Sequence, residues 1–359
     1  MKPRLLVIEL HHLGDAVLAL PFLRAAARTF EVSVLCRPSV AQVFRAASDD
    51  WTVLAPEGGW LARKRVLPKL GQGDVAVCAW PDPRAQRLMR ESGAERRIGF
   101  TVTERNFYGV ARAWRKRRLI LGKATKFVWE LNGSFLTDSL DRSASDQKHL
   151  ENWAQIARKL SFEPDYTFPW IAIGALPKSV AEFVTKARAE QRPLCVVHSG
   201  GRLPTKRWPL ERFQALLDGF FPGNRIAAIV VAAPNEEAAI PHGEWQIACT
   251  TESLGALCAV FSSVDAVLCN DSFASHVAAA MGQRVVTIFG SGDPAWFAPY
   301  QNEAHVVAST ACPFRPCVDR CEQPSILCLE TLSNDLVEKS LKAVIFPADA
   351  RGLSSISPQ

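Results

Sequence analysis

The sequence predicts an α/β protein with two doubly wound parallel sheets, and three observations support this. Apolar runs of strand length alternate with longer segments of helical spacing, which is typical of parallel strands joined by crossover helices. The same alternation restarts after a Pro-containing stretch at 162–177, and 359 residues are enough for two domains. We therefore predict domains at 1–170 and 171–348, followed by a polar tail at 349–359.

The first half begins with Leu5–Leu10, an apolar run typical of a buried strand. Gly14 marks a turn, and a helix is expected over Ala16–Thr29. The next predicted strands are short and carry no charge: Val32–Cys36, Trp51–Leu54 and Val75–Ala79. Residues 101–148 have weak periodicity and many cations, which predicts a basic loop or helix pair before a helix at 147–160.

The second half repeats this order of elements. Strands are predicted at four apolar runs of strand length: Leu194–His198, Ile226–Ala232, Ala266–Cys269 and Val285–Phe289. Helices are predicted at the longer periodic segments between and before them: Lys178–Glu190, Leu210–Phe220, Ser253–Ser262 and Phe273–Met281.

Composition and charge narrow the class of protein. Hydrophobic residues make up 48% of the chain and charged residues 22%, which is typical of a soluble globular protein. Polar residues interrupt the N-terminal apolar segment, and no run of bilayer length follows, so a cytoplasmic protein is expected. Residues 1–175 carry a net charge of +9 and residues 176–359 carry −3. The first half is therefore expected to meet an anionic partner.

That anionic partner could be a nucleic acid or a glycolipid. The basic stretch lacks the interleaved aromatic residues of a recognisable nucleic-acid module, which disfavours nucleic acid.

The ten cysteines fall into two groups. Six lie in apolar runs and are expected in the core: Cys36, Cys78, Cys195, Cys249, Cys258 and Cys269. The other four are Cys312, Cys317, Cys321 and Cys328. Their spacing lacks the paired knuckles of zinc fingers, so reduced thiols are favoured over zinc or an iron–sulfur cluster.

The candidate site residues follow predicted strands, where open α/β sheets bind ligands. Asp15 follows the first strand and stands beside His11 and His12. The position suits a helix cap, but the neighbouring histidines and Gly14 favour a general base.

A second candidate segment is Ser199–Pro209, which contains Gly200, Gly201, Lys206 and Arg207. Small residues allow close approach of backbone to a ligand, and two cations before a helix suit a phosphate. A solvated basic loop is the alternative.

The third candidate comprises Asn270, Asp271, Ser272 and His276. Ser272 and His276 share a helix face, so a Ser–His hydrolase is conceivable, although no glycine flanks Ser272 as in a nucleophile elbow. Ligand contact at a helix N-terminus is the preferred interpretation. Glu236 and Glu237 follow another strand and could accept hydrogen bonds from a ribose or act as helix-dipole partners.

Taken in order, three segments resemble glycosyltransferase family 9, the ADP-heptose:lipopolysaccharide heptosyltransferases. They read LVIELHHLGDAVLALPFLRAA, HSGGRLPTKRWPLERFQALL and SLGALCAVFSSVDAVLCNDSFASHVAAAMGQRVVTIFGSGDPAWFAPY. A Cys-rich tail ending CLETL also resembles relatives. Together the matching pieces extend over about 340 residues, so their order is more specific than any single motif.

The resemblance implies a GT-B fold, in which two Rossmann-like domains face a central cleft, and an inverting transfer that needs no metal or other cofactor. It implies Asp15 as general base, Lys206 as stabiliser of the leaving diphosphate, and a nucleotide-sugar donor such as ADP-heptose held by the C-terminal domain. The donor-binding residues it implies are Ser199, Gly200, Gly201, Arg207, Glu236, Glu237, Asn270, Asp271, Ser272 and His276.

The resemblance also assigns an acceptor to the N-terminal domain. The family's anionic glycolipid acceptors would account for the basic first half, with contacts predicted from His11, His12, Arg112, Arg115 and Lys116 and a peripheral contact with the inner membrane.

Two departures from the family pattern leave alternatives open. Histidines replace the usual small polar residues at positions 11 and 12, and Phe273 and Ala274 replace a Gly-Pro pair after Ser272. The bulky Phe273 ring would lie near the donor. It therefore predicts a donor whose sugar or base differs from that of ADP-heptose, or a degenerate donor site. The alternatives are a GT-B sugar-nucleotide epimerase or hydrolase, and a non-catalytic relative that keeps only the nucleotide site.

Overall fold

A computed structural model of the protein describes residues 2–101, 133–140, 149–233, 236–302, 305–317, 321 and 323–347. The chain divides into two compact units, Met1–Ala172 and Ile173–Gln359. The basic stretch around Arg112, Arg115 and Lys116 and the tail at 349–359 lie outside the described residues.

The first unit contains a parallel sheet in the order β3-β2-β1-β4-β5-β6. Its strands are β1 (Arg4–Glu9), β2 (Glu31–Cys36), β3 (Trp51–Leu54), β4 (Val75–Cys78), β5 (Arg96–Phe100) and β6 (Asp138–Leu140). The helices are α1 (Leu13–Thr29), α2 (Ala41–Ala47), α3 (Trp60–Arg65), α4 (Pro83–Glu91) and α5 (His149–Lys159). β1 pairs with β2 and β4, and five of its six residues are buried, as its apolar sequence predicts.

The second unit repeats this arrangement, with a parallel sheet in the order β12-β11-β10-β7-β8-β9. Its strands are β7 (Leu194–His198), β8 (Ala227–Ala232), β9 (Gln246–Thr250), β10 (Ala266–Asn270), β11 (Val285–Phe289) and β12 (Val306–Ala308). The helices are α6 (Lys178–Ala189), α7 (Leu210–Ala215, continued by Leu216–Phe220 and Phe221–Gly223), α8 (Leu254–Ser262), α9 (Phe273–Ala280), α10 (Pro294–Phe297), α11 (Leu327–Glu330) and α12 (Asn334–Ile345).

The prediction of two doubly wound parallel sheets is confirmed, but several strands lack the predicted signal. β5 begins with two arginines, and β6, β9 and β12 lie at sheet edges, where each pairs with a single strand among the described residues. Such strands do not need an unbroken apolar run. The prediction of a loop or helix pair over 101–148 is wrong for 138–140, which form β6.

The six cysteines predicted in the core are buried, and all ten are free thiols. None of the helices in the described ranges combines the length and hydropathy needed to cross a bilayer.

Candidate functional site

Each sheet reverses its strand order at one place, between β1 and β4 in the first unit and between β7 and β10 in the second. Ligands of doubly wound proteins bind beyond the carboxyl ends of strands at such a switch point. Asp15 follows β1, the loop with Lys206 follows β7, and Asp271 follows β10. The sequence candidates in each described unit therefore gather at that unit's switch point.

Asp15 caps helix α1. His12 is the N-cap residue, and its backbone N–H donates to Asp15 Oδ2 at 3.0 Å. The Asp15 residue is only 7% exposed. An aspartate at the carboxyl end of a strand is a group of the type that acts as a general base. Capping is thus observed, and the role of base stays a prediction.

Behind this turn lies Glu9, a buried residue that is not among the site residues predicted from the sequence. Its Oε1 accepts a hydrogen bond from the His11 backbone N–H at 2.8 Å, and its Oε2 lies 3.9 Å from His149 Nε2. Burial raises the pKa of Glu9 to about 8, although the His11 N–H and the charge of Arg37 oppose this shift. The signal for Glu9 that was available in the sequence was a charged residue at the end of an apolar strand.

Trp80 lies between two histidine rings beside Glu9. Its ring centroid is 4.6 Å from that of His11 and 4.7 Å from that of His149. Burial lowers the pKa of His11 to about 3, with Asp82 opposing the shift. His11 is therefore neutral near pH 7 and fixes the turn by packing, so it offers no charge to an anionic acceptor. His12, by contrast, is exposed.

Replacing Glu9 by Gln is expected to change how stability depends on pH. The folded-state pKa of Glu9 is raised, so its burial costs free energy increasingly between about pH 4.5 and 8, where the unfolded carboxyl ionises. The lowered pKa of His11 acts in the opposite direction between about pH 3 and 6.5. The two effects oppose each other below pH 6.5, so wild-type stability should fall chiefly between about pH 6.5 and 8.

Denaturant unfolding at several pH values measures this effect. Glu9→Gln keeps the shape of the protonated carboxyl and should remove most of the decline above pH 6.5. An equal decline in the variant would show that Glu9 is not the buried acid responsible.

The guanidinium groups of Arg37, Arg63 and Arg84 lie near the edge of the first sheet that carries Asp15. Burial and the charges of Arg37 and Arg84 lower the pKa of Arg63, while Asp82 opposes the shift. Asp82 is already engaged, because it caps α4 and pairs with Arg84 at 3.2 Å. The Nε atom of Arg63 is buried and has no hydrogen-bond partner in the described structure. This excess of positive charge suits an anionic ligand. Arg37 and Asp82 follow β2 and β4, so their position after predicted strands was the signal available in the sequence.

In the second unit, Asn270 organises the loop after β7. Its Nδ2 donates to the carbonyls of Ser199 at 2.7 Å and Gly200 at 3.1 Å, and its Oδ1 accepts from the Trp208 backbone N–H at 3.1 Å. Asn270 is fully buried. Its observed contacts are therefore those of a scaffold that fixes both ends of the loop carrying Lys206.

Lys206 and Asp271 form an ion pair, with Nζ 3.0 Å from Oδ2. The Asp271 side chain is 5% exposed and that of Lys206 is 19% exposed, so the pair is largely shielded from water. A Cβ atom at position 292 would overlap the Asp271 carboxylate, which explains the glycine there. The two residues predicted to act on the donor are thus brought into direct contact.

Glu236 joins the ends of β7 and β8. Its carboxylate accepts hydrogen bonds from the backbone N–H groups of Gly201 at 2.9 Å and Ala233 at 3.1 Å, and lies 3.6 Å from His198 Nε2. A Cβ atom on Gly200 would overlap this carboxylate, so the loop requires glycine. Burial lowers the pKa of His198, with Glu236 opposing the shift. His198 ends β7 but was not selected from the sequence.

Two other predicted donor contacts, Arg207 and Glu237, are exposed side chains of the same unit. Their predicted role stays a prediction.

Helix α9 begins at Phe273 with Ser272 as its N-cap residue. The Ser272 Oγ is buried and has no hydrogen-bond partner in the described part of the chain, so a Ser272–His276 hydrolase dyad is not formed. His276 is 6% exposed, and Phe273 is half-buried. A helix N-terminus beside a buried hydroxyl suits a polar or anionic ligand.

The four C-terminal cysteines differ in exposure. Cys312 and Cys328 are buried in the core of the second unit, while Cys317 and Cys321 are half-buried. Among the residues that the structure describes, no group of three or more His, Cys, Asp or Glu side chains could hold a metal ion.

Two sheets of this order, each with polar side chains at its switch point, define an α/β protein of the GT-B class. Residues 114–325, more than half of the chain, match the family model for glycosyltransferase family 9 (heptosyltransferase). The chain therefore belongs to glycosyltransferase family 9 and is a glycosyltransferase. No curated protein sequence matches it significantly.

Solved structures support the fold. A family 9 glycosyltransferase from Veillonella parvula is 17% identical with a TM-score of 0.66, over 96% of this chain and 98% of that one. The Escherichia coli ADP-heptose LPS heptosyltransferase II is 15% identical with a TM-score of 0.61, over 95% and 98%. An iron-containing dodecameric glycosyltransferase, TibC from enterotoxigenic E. coli, is 11% identical with a TM-score of 0.54, over 96% and 76%.

Proposed function

We propose that this protein transfers heptose or a related sugar, with inversion, from a nucleotide-sugar donor to the lipopolysaccharide core or a related anionic surface glycan. The observation that carries the proposal is the Lys206–Asp271 pair at the switch point of the second sheet of a family 9 chain. A shielded cation at that position is suited to a diphosphate leaving group.

Donor binding is assigned to the second unit. Lys206 would neutralise charge as the sugar–oxygen bond breaks and its electron pair passes to the diphosphate. Glu236 would accept hydrogen bonds from ribose hydroxyls, and the buried Ser272 hydroxyl would contact the donor at the start of α9. The E. coli heptosyltransferase WaaC has been solved with ADP and with ADP-2-deoxy-2-fluoro heptose. ADP-heptose is therefore the first donor to test.

Asp15 is assigned as the general base. An acceptor hydroxyl would attack the anomeric carbon on the face opposite the diphosphate and lose its proton to the Asp15 carboxylate. Charge then moves from the carboxylate to the leaving group, so base and cation together supply the groups that inversion needs. This scheme uses no metal ion.

An anionic acceptor is assigned to the first unit. Arg37, Arg63 and Arg84 lie near the sheet edge that carries Asp15, where the acceptor would bind. The buried Nε atom of Arg63 has no hydrogen-bond partner among the residues that the structure describes. Carboxylate or phosphate groups on a glycolipid would pair with such guanidinium groups. A glycolipid acceptor also implies peripheral contact with the cytoplasmic face of the inner membrane.

A panel of nucleotide sugars tests the donor assignment. A donor at 100 times its Kd should stabilise the protein by about 2.7 kcal/mol, which thermal unfolding detects, whereas the free sugar should have no effect. Transfer to a purified lipopolysaccharide core is then followed by mass spectrometry.

Each result separates the candidate functions. Release of free sugar or an epimer without acceptor would identify a hydrolase or epimerase. Binding without any product would identify a non-catalytic relative, the outcome that Phe273 at the start of α9 would favour. No stabilisation by any nucleotide sugar would contradict the donor site itself.

A further inference from the structure

The outer face of α3 carries an exposed leucine surrounded by cations. Leu61 is 66% exposed, the highest value among the large hydrophobic residues that the structure describes. Lys64 and Arg65 follow it at helical spacings of three and four, so all three share one face. Val66, directly after the helix, and Lys69, three residues further along the chain, are also exposed.

The other side of α3 is anchored in the fold. Trp60 packs against the core of the first unit, and the Arg87 guanidinium lies 4.9 Å from its ring centroid. Arg63 turns inward to the guanidinium cluster described above. The helix therefore has a fixed orientation, which keeps its apolar and basic face exposed.

The charge of this surface selects its partner. Residues 60–69 contain four cations and no acidic residue. Arg63 points to the arginine cluster and Lys64 pairs with Glu91, so Arg65 and Lys69 are the cations of this surface with no ion pair among the described residues. A bilayer with anionic lipids offers both a negative potential for the cations and an apolar phase for Leu61. A single exposed leucine is ordinary by itself, so it is the combination with uncompensated charge that is informative.

We propose that the face formed by Leu61, Lys64, Arg65, Val66 and Lys69 docks the protein on an anionic membrane surface beside its acceptor site. This deepens the proposed function, because a glycolipid acceptor would enter the adjoining arginine cluster from the same membrane. It can also fail separately, since docking is measured without donor or acceptor.

Co-sedimentation with vesicles tests the proposal. The full-length protein should bind phosphatidylcholine vesicles containing one-third phosphatidylglycerol, should not bind pure phosphatidylcholine, and should lose binding as salt rises. Removing two charges in Arg65→Gln/Lys69→Gln should weaken partitioning about 25-fold. Leu61→Ser should weaken it about tenfold through lost apolar burial.

Matched controls lie in the second unit. Ile240 is 62% exposed, so Ile240→Ser removes a comparable apolar side chain, and Lys178→Gln/Lys339→Gln removes two exposed charges. These variants should bind like wild type. Failure of wild type to bind, equal loss in the controls, or equal competition by single-stranded RNA would overturn the proposal.

A sugar-transfer assay with an acceptor glycan from which the lipid has been removed separates membrane docking from catalysis. Leu61→Ser should leave this activity unchanged, because the Leu61 side chain is 66% exposed and has no assigned role in binding the donor or the acceptor. Absence of activity in wild type would contradict the proposed function and leave the vesicle result standing.

Discussion

Asp15→Asn is expected to lower the rate of sugar transfer about 10²–10⁴-fold and to leave the fold intact. An amide cannot take the proton of the acceptor hydroxyl, and general bases contribute rate effects of this size. The Asn side chain can still accept a hydrogen bond from the His12 backbone N–H, which Asp15 accepts at 3.0 Å. The variant therefore separates the proposed base from the observed cap.

Steady-state kinetics and thermal unfolding of the same preparation provide the check. The loss should appear in kcat at saturating donor and acceptor, with little change in stability. Asp15→Ala is the companion variant, since it also removes the cap and should cost about 1 kcal/mol of stability. Transfer by Asp15→Asn within a few-fold of wild type would assign Asp15 to capping alone.

Lys206→Met should slow transfer about 10²–10³-fold, because a preorganised cation would no longer stabilise the leaving diphosphate. The same change should also destabilise the protein. Asp271 is 5% exposed and would lose the ammonium group 3.0 Å from its Oδ2. Removing one partner of a buried pair costs about 3–5 kcal/mol, with the lower end expected because Lys206 is partly exposed.

Three variants distinguish catalysis from stability. Lys206→Met/Asp271→Asn removes both charges and should recover most of the lost stability without recovering the rate. Arg202→Met changes an exposed cation of the same loop and should leave both quantities near wild type. If the double variant regained transfer, the effect of Lys206 would be structural, and its assignment to the leaving group would be wrong.

The sequence was sufficient for the fold class and the central strands. β1, β7 and β11 are short apolar runs, because parallel strands are buried on both faces. Burial on both faces requires consecutive apolar residues, and such a run can be recognised in the sequence. Edge strands such as β9 and β12 are less constrained, which is why their sequences carried no comparable signal.

Residue order also determined where chemistry should be sought, because the loops after β1, β7 and β10 lie at switch points in any doubly wound sheet. Which side chains meet there was decided only by tertiary structure. The Lys206–Asp271 pair joins residues from two separate strand ends, and Glu9, His149 and Trp80 come together from β1, α5 and the loop after β4. Local sequence encodes periodicity and capping, whereas burial, pKa and the partners of a charge depend on residues distant in the chain.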